Sequence, residues 1–128
     1  MKTSTVSAIA FTLALVAFSG ATVAHHSIAG IYDSRRQATI EGVVAVFEFV
    51  NPHPFITIEV TADDGTTARW RLEMDNRWEL AELGFRADTL EPGDRIVVTG
   101  SLARKEPNGL YVRRLVRPAD GFTYEHHR

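Results

Sequence analysis

Three histidines in the sequence could bind a metal ion. His25 and His26 are adjacent and follow an apolar N-terminal segment, and His53 lies in the stretch "NPHP" at residues 51–54. Imidazole nitrogens are ligands for Cu(II) and Zn²⁺. Each proline fixes its own φ and restricts the residue before it, so this stretch should hold its histidine rigidly. These residues predict a metal site; the alternative for His53 is a solvated side chain in an ordinary turn.

The segment before His25 has the layout of a secretory signal peptide. Lys2 gives a positive start, residues 6–18 form an apolar run, and small residues end the segment at Ala24. The run is too short for a stable membrane span. We therefore expect cleavage after Ala24, a periplasmic or secreted protein, and no membrane span in the mature chain. His25 would then be the N-terminal residue.

An N-terminal histidine can offer both its α-amine and its imidazole to one metal ion. With His53 as a second imidazole, the donor set resembles the histidine brace of copper enzymes and exported copper-binding proteins. Nitrogen donors of this kind favour Cu(II), which heads the affinity order of such sites. Zinc is the alternative metal. His26 could replace one nitrogen ligand, and Glu73 is the predicted oxygen ligand.

A second candidate site is the outward face of two predicted strands. Arg69, Arg71 and Glu73 alternate with apolar residues in "ARWRLEM", and Thr57 takes the same outward position in the preceding "PFITIEV". These side chains predict a ligand face for a peptide or a glycan. For Glu73 the alternative is a solvated cross-strand ion pair, worth less than about 1 kcal/mol.

The remaining aromatic and histidine residues are given structural interpretations. Trp70 and Trp78 are expected to fill the core rather than to stack on a ligand. His126 and His127 stand among the last three residues, where chains usually fray. An auxiliary metal site at that end is the alternative.

The composition limits the classes of function. The chain has 128 residues, no cysteine and a formal net charge of −2 at pH 7. Nucleic acid and anionic membrane surfaces reward clustered positive charge, so oligonucleotide binding is the least favoured hypothesis. The sequence has no glycine-rich phosphate loop and no Gly-x-Ser-x-Gly elbow. Enzymatic chemistry is neither required nor excluded.

The predicted strands and turns position these side chains. A sequence rich in Val, Ile and Phe predicts a long strand at about residues 38–50, with a bend or bulge near Gly42. Asp64 and Gly65 predict the hairpin turn between the two strands that carry the ligand face.

A short helix is expected between the third and fourth strands. Asp75 or Asn76 would cap it, Trp78, Ala81 and Leu83 would form its apolar side, and Gly84 would end it. The fold class is therefore mainly β, predicted as a five-stranded OB-like Greek-key barrel, with a small β-sandwich as the alternative. The predicted boundaries are a signal peptide at 1–24, an N-terminal arm at 25–36, the β domain at 37–122 and a polar tail at 123–128.

Four motifs occur in an order found in a known family. They are "HHS" after the signal, "GVVAVFEFVNPH" at the first strand, "WRLEM" in the third strand and "LEPGDRIVVTG" at the fourth. The chain resembles small exported bacterial proteins of the domain of unknown function 6152 family. The resemblance extends from His25 to Gly121. It implies an exported protein with a compact β fold, and it implies no established activity.

Overall fold

The computed structural model describes residues 28–126. The predicted signal peptide with its cleavage site at Ala24, and also His25, His26 and His127, lie outside the described residues. The chain divides into two units, Met1–Gly30 and Ile31–Arg128, and the fold below is that of the second. No helix among the described residues is both long and apolar enough to span a lipid bilayer.

The second unit is mainly β, as predicted. Six strands form one sheet in the order β3-β2-β1-β4-β5-β6, and β3 also pairs with β5 in parallel. The helix α1 lies between β3 and β4, where the sequence predicts it. The elements are β1 (Tyr32–Glu48), β2 (Phe55–Thr61), β3 (Thr67–Glu73), α1 (Arg77–Glu82), β4 (Arg95–Ala103), β5 (Gly109–Arg117) and β6 (Phe122–Glu125).

The alternating pattern of β2 and β3 places one face of each strand in the core. Ile56 and Ile58 of β2 and Leu72 of β3 are fully buried. The turn between them is the predicted one, since Gly65 has φ +84° and the Asp64 carboxylate accepts from the backbone N–H of Thr66 at 2.9 Å. The opposite face of the two strands is therefore available for a site.

Strand β1 is long because its two halves pair with different neighbours. Residues from Tyr32 to Val43 pair with β4, and residues from Val43 to Glu48 pair with β2. The predicted irregularity lies two residues beyond Gly42, where the register with β2 shifts between Val44 and Val46. One strand thereby joins both halves of the sheet.

Two strand boundaries differ from the predicted ones. β1 begins at Tyr32 rather than near residue 38, because Tyr32 and Asp33 are buried and paired with β4. Residues 32–36 of the predicted arm are therefore strand. The predicted polar tail forms β6 with Phe122, since Tyr124 is buried and pairs with Leu115 of β5. Both pairings join segments distant in sequence, which local patterns do not encode.

Helix α1 has the predicted cap and stop but a different buried side. The Asn76 side chain accepts from the backbone N–H of Glu79 at 2.9 Å, and Gly84 follows the helix with φ +92°. Leu80 is the buried residue of this helix. The prediction that Trp78 fills the core is wrong, because the helix packs through Leu80 and leaves Trp78 67% exposed. Trp70 is partly buried against the core.

Trp78→Ala is expected to change the free energy of unfolding by less than about 0.5 kcal/mol, as for other exposed side chains. Urea unfolding followed by far-UV circular dichroism measures this, with Trp78→Phe as the control. A loss above about 1.5 kcal/mol would mean that the indole packs against the fold after all.

Candidate functional site

His53 is held in place by backbone hydrogen bonds on both sides of it. Its loop connects β1 to β2 and contains a cis Asn51–Pro52 peptide bond. Met74 N–H donates to the Pro54 carbonyl at 3.0 Å, and Arg77 N–H donates to the Pro52 carbonyl at 2.9 Å. The loop is therefore joined to the segment between β3 and α1, and the predicted rigidity has a tertiary as well as a local cause.

The imidazole of His53 has a defined tautomer when it is neutral. Its Nδ1 lies 2.8 Å from the carbonyl oxygen of Met74. A carbonyl only accepts hydrogen bonds, so Nδ1 carries the proton and Nε2 carries a lone pair. The side chain is 25% exposed. His53 thus meets the usual condition for a histidine ligand, in which one nitrogen donates to the protein and the other is free to bind a metal.

Glu73 lies beside His53. Its Oε1 is 3.4 Å from His53 Nδ1, and its Oε2 accepts a hydrogen bond from the Tyr32 hydroxyl at 2.7 Å. Burial, together with this hydrogen bond, raises the pKa of Tyr32. The Glu73 side chain is only 12% exposed, so the alternative of a solvated ion pair is wrong. The predicted alternation was right, but Tyr32 from the start of β1 covers the carboxylate.

Within residues 28–126, no three His, Asp or Glu side chains are grouped so that they could hold a metal ion. Glu73 approaches the protonated nitrogen of His53 rather than the nitrogen with the lone pair.

The predicted ligand face lines a cleft of about 450 Å³. Thr57, Arg69 and Arg71 all contribute to it, together with Glu73. The guanidinium of Arg71 lies 3.9 Å from the centre of the Phe55 ring. The full lining is Ile31, Tyr32, Phe55, Thr57, Arg69, Trp70, Arg71, Glu73, Ala103, Glu106, Pro107, Asn108 and Gly109. The cleft therefore combines aromatic surface, two guanidinium groups and a loop between β4 and β5.

A partly buried carboxylate, predicted from the sequence only as a possible helix cap, lies just after β3. Asp75 accepts hydrogen bonds from the hydroxyls of Tyr111 and Tyr124 and from Nδ1 of His126, each at 2.5 Å. Burial alone would raise the pKa of Asp75, but the three hydrogen bonds outweigh it and hold the pKa below its usual value. Burial and the bond to Asp75 raise the pKa of each tyrosine.

The prediction that His126 frays is wrong. Its side chain is only 8% exposed, and its backbone N–H donates to the carbonyl of Arg113 at 2.8 Å. The alternation of Phe122, Tyr124 and His126 is the sequence signal that could have indicated a strand here. With Nδ1 bonded to Asp75, His126 has a structural role in the described fold.

The comparisons with known proteins give a family but no activity. Residues 13–111 match the family described as "Family of unknown function (DUF6152)". The match extends over most of the chain, and the protein belongs to this family. No curated protein matches the sequence.

Proposed function

We propose that the protein is an exported copper-binding protein. The mature N-terminus at His25 supplies an amine and an imidazole nitrogen, and His53 supplies a second imidazole through Nε2. The observation that carries the proposal is the hydrogen bond from His53 Nδ1 to the Met74 carbonyl, which leaves Nε2 as the metal-binding nitrogen. Cu(II) is the preferred ion for such nitrogens, with Zn²⁺ as the alternative.

The path of the chain supports this donor set. Tyr32 is the first residue of β1, and its hydroxyl binds Glu73, which in turn lies 3.4 Å from His53. The first residue of β1 is thus connected to the loop histidine through Glu73.

The geometry suggests a different role for Glu73 from that of a direct ligand. Its carboxylate faces the protonated Nδ1 of His53, where it helps to fix the orientation of the ring. We therefore propose Glu73 as a positioning residue for His53. His26 remains the candidate for an additional nitrogen ligand.

The test uses untagged protein recovered after export, and mass spectrometry should show a chain that begins at His25. His53→Ala is expected to lower Cu(II) affinity at least about tenfold, measured by chelator competition, and to remove one nitrogen from the EPR hyperfine pattern. Glu73→Gln should lower affinity by about tenfold through the orientation of His53, without removing that nitrogen.

The matched control is His126→Gln. It removes an imidazole that is already hydrogen-bonded to Asp75, and it should leave Cu(II) affinity unchanged. A second control carries an acetyl group on the α-amine of His25, which removes that nitrogen as a ligand and should weaken binding as His53→Ala does. Unchanged affinity in both His53→Ala and the blocked protein would overturn the proposal.

A metal-free binding module is the second candidate, and it rests on the cleft. We infer an OB-like Greek-key barrel, because the neighbours β1-β2-β3-β5-β4-β1 form a closed series of pairings with β6 added beside β5. OB folds bind ligands on β2 and β3 and on the loops at that side. Thr57, Arg69 and Arg71 share one cleft in this position.

The ligand proposed for this module is a peptide or a glycan of the cell envelope. Arg71→Ala removes both the guanidinium and its stacking on Phe55, and should weaken binding of such a ligand about fivefold or more. Equilibrium titration of the full chain measures this. An unchanged affinity in Arg71→Ala would count against the cleft as the binding site.

A further inference from the structure

Strand β3 has an edge that is only partly paired. β3 pairs with β2 along its whole length, but its parallel pairing with β5 covers only Arg71 to Glu73. At the end of that pairing, Arg71 N–H donates to the Asn108 carbonyl at 2.9 Å. Because backbone groups alternate sides along a strand, the N–H and C=O of Arg69 face the same side as those of Arg71. No strand between residues 28 and 126 pairs with Arg69 on that side.

This edge borders two clefts rather than packed side chains. The cleft of about 450 Å³ borders it, and a second cleft of about 300 Å³ shares Trp70 and the loop residues 106–109 with the first. β3 and β5 diverge at this loop. The two clefts therefore lie on either side of the point at which the pairing of β3 with β5 ends.

The residues that line the two clefts carry an excess of positive charge. The cations are Arg36, Arg69, Arg71, Arg104 and Lys105, and the carboxylates are Glu73 and Glu106. Glu73 is engaged by Tyr32 and His53, so it contributes little to the open surface. Arg69, Arg71 and Arg104 pair with Glu59, Glu48 and Asp33, none of which lines either cleft, so the lining itself is net positive. It favours an anionic ligand.

The ion pairs of Arg69 and Arg71 do not prevent an anionic ligand from binding at this edge. Arg69 lies 3.4 Å from Glu59, and Arg71 lies 3.3 Å from Glu48. Both arginine side chains are more than half exposed, and exposed pairs of this kind contribute little free energy. A ligand carboxylate can therefore replace either partner.

We propose that the open edge of β3 binds an extended, acidic peptide segment of a partner protein by strand addition. The inference rests on the second function proposed above, the binding module, and names its ligand. The peptide backbone pairs with Arg69, its carboxylates face Arg69 and Arg71, and apolar side chains contact Trp70. An unpaired strand edge supplies the alternating donors and acceptors that a peptide backbone matches and a glycan does not.

The test titrates the full chain with blocked octapeptides that alternate Val with Glu, Gln or Lys. Trp78→Phe leaves Trp70, which lines both clefts, as the one tryptophan of the sequence, and its fluorescence reports binding. The Glu peptide is expected to bind at least about tenfold more tightly than the Lys peptide, and the difference should shrink at high salt.

Backbone pairing is tested on the peptide, so that the fold of the protein is unchanged. Two further Glu peptides are N-methylated either at every Val or at every Glu. In a paired peptide, either the N–H groups of the Val residues or those of the Glu residues face β3. Methylation of that set should therefore lower affinity about fivefold or more, and methylation of the other set should not. Equal losses would overturn strand addition.

Protein variants locate the site. Arg69→Gln and Arg71→Gln should each lower affinity for the Glu peptide about threefold. Arg95→Gln removes an arginine that is similarly exposed and paired with Glu41 but lies outside both clefts, and should have no effect. Equal effects of all three variants would overturn the assignment of this edge.

The outcomes separate this inference from the function on which it rests. If neutral or acidic oligosaccharides bind, lose affinity in Arg71→Ala and the Glu peptide does not bind, the module stands and the peptide inference is overturned. If neither class of ligand binds, both are overturned. Binding of single-stranded DNA in preference to the Glu peptide would replace the peptide with an anionic polymer and would also overturn the inference.

Discussion

Asp75→Ala is expected to lower the free energy of unfolding by about 3 kcal/mol or more. The substitution leaves the hydroxyls of Tyr111 and Tyr124 and Nδ1 of His126 without their acceptor. An unsatisfied buried donor costs about 1–3 kcal/mol, and three donors share this one carboxylate. Urea unfolding measures the loss, and Asp88→Ala, at an exposed carboxylate, is the control.

Asp75→Asn removes the charge of this side chain and keeps its shape, so it tests how the charge contributes to the stability of the cluster. The pKa of Asp75 lies below its usual value in the folded protein, so the folded state favours the ionised form. This contribution is complete well above the unfolded pKa, near 3.9, and is lost as the pH falls through that value towards the lower folded one. The stability difference between wild type and Asp75→Asn should therefore decrease as the pH falls below about 4. A difference that grows on acidification would contradict the assignment.

Gly100→Ala is expected to destabilise the fold by about 3 kcal/mol or to prevent folding. Gly100 lies in β4, where the register with β5 shifts, and a Cβ at this position would overlap the backbone oxygen of Tyr111 and the side chain of Leu110. Because one of the overlapping atoms belongs to the backbone of a central strand, relief requires the two strands to separate.

Gly121→Ala is the matched control for Gly100→Ala. A Cβ at Gly121 meets no atom within 4 Å, and only its φ of +75° opposes the substitution. The expected loss is about 1–2 kcal/mol. Thermal and urea unfolding compare the two variants, and an equal loss in both would show that the β4–β5 contact adapts to the extra methyl group.

The sequence predicts the local features of this fold and misses those that depend on distant strands. The Asn76 cap and the hairpin at Gly65 follow from residue types within a few positions of each other. The early start of β1 at Tyr32 depends on Ala103 of β4, and β6 depends on β5. A pattern confined to a short segment cannot contain such pairings.

The candidate site also has local features, which the sequence predicts, and tertiary features, which it does not. The prolines around His53 indicate a rigid loop, and alternation in β3 places Arg69 and Arg71 on one face. The acceptor of His53 is the backbone carbonyl of Met74, which has no signature in the sequence. The clustering of Asp75 with His126 requires three strand ends to meet, and only the folded chain brings them together.

The contacts of Glu73 and Asp75 affect how the protein folds while it is synthesised from its N-terminus. Tyr32 at the start of the β domain binds Glu73, and His126 near the last residue binds Asp75. A nascent chain that has passed β3 and α1 already contains Tyr32 but still lacks Tyr111, Tyr124 and His126, the three donors to Asp75. Until His126 has emerged, the domain has no complete set of tertiary bonds around Asp75, and unfinished chains should be selectively cleaved by proteases that spare the finished protein.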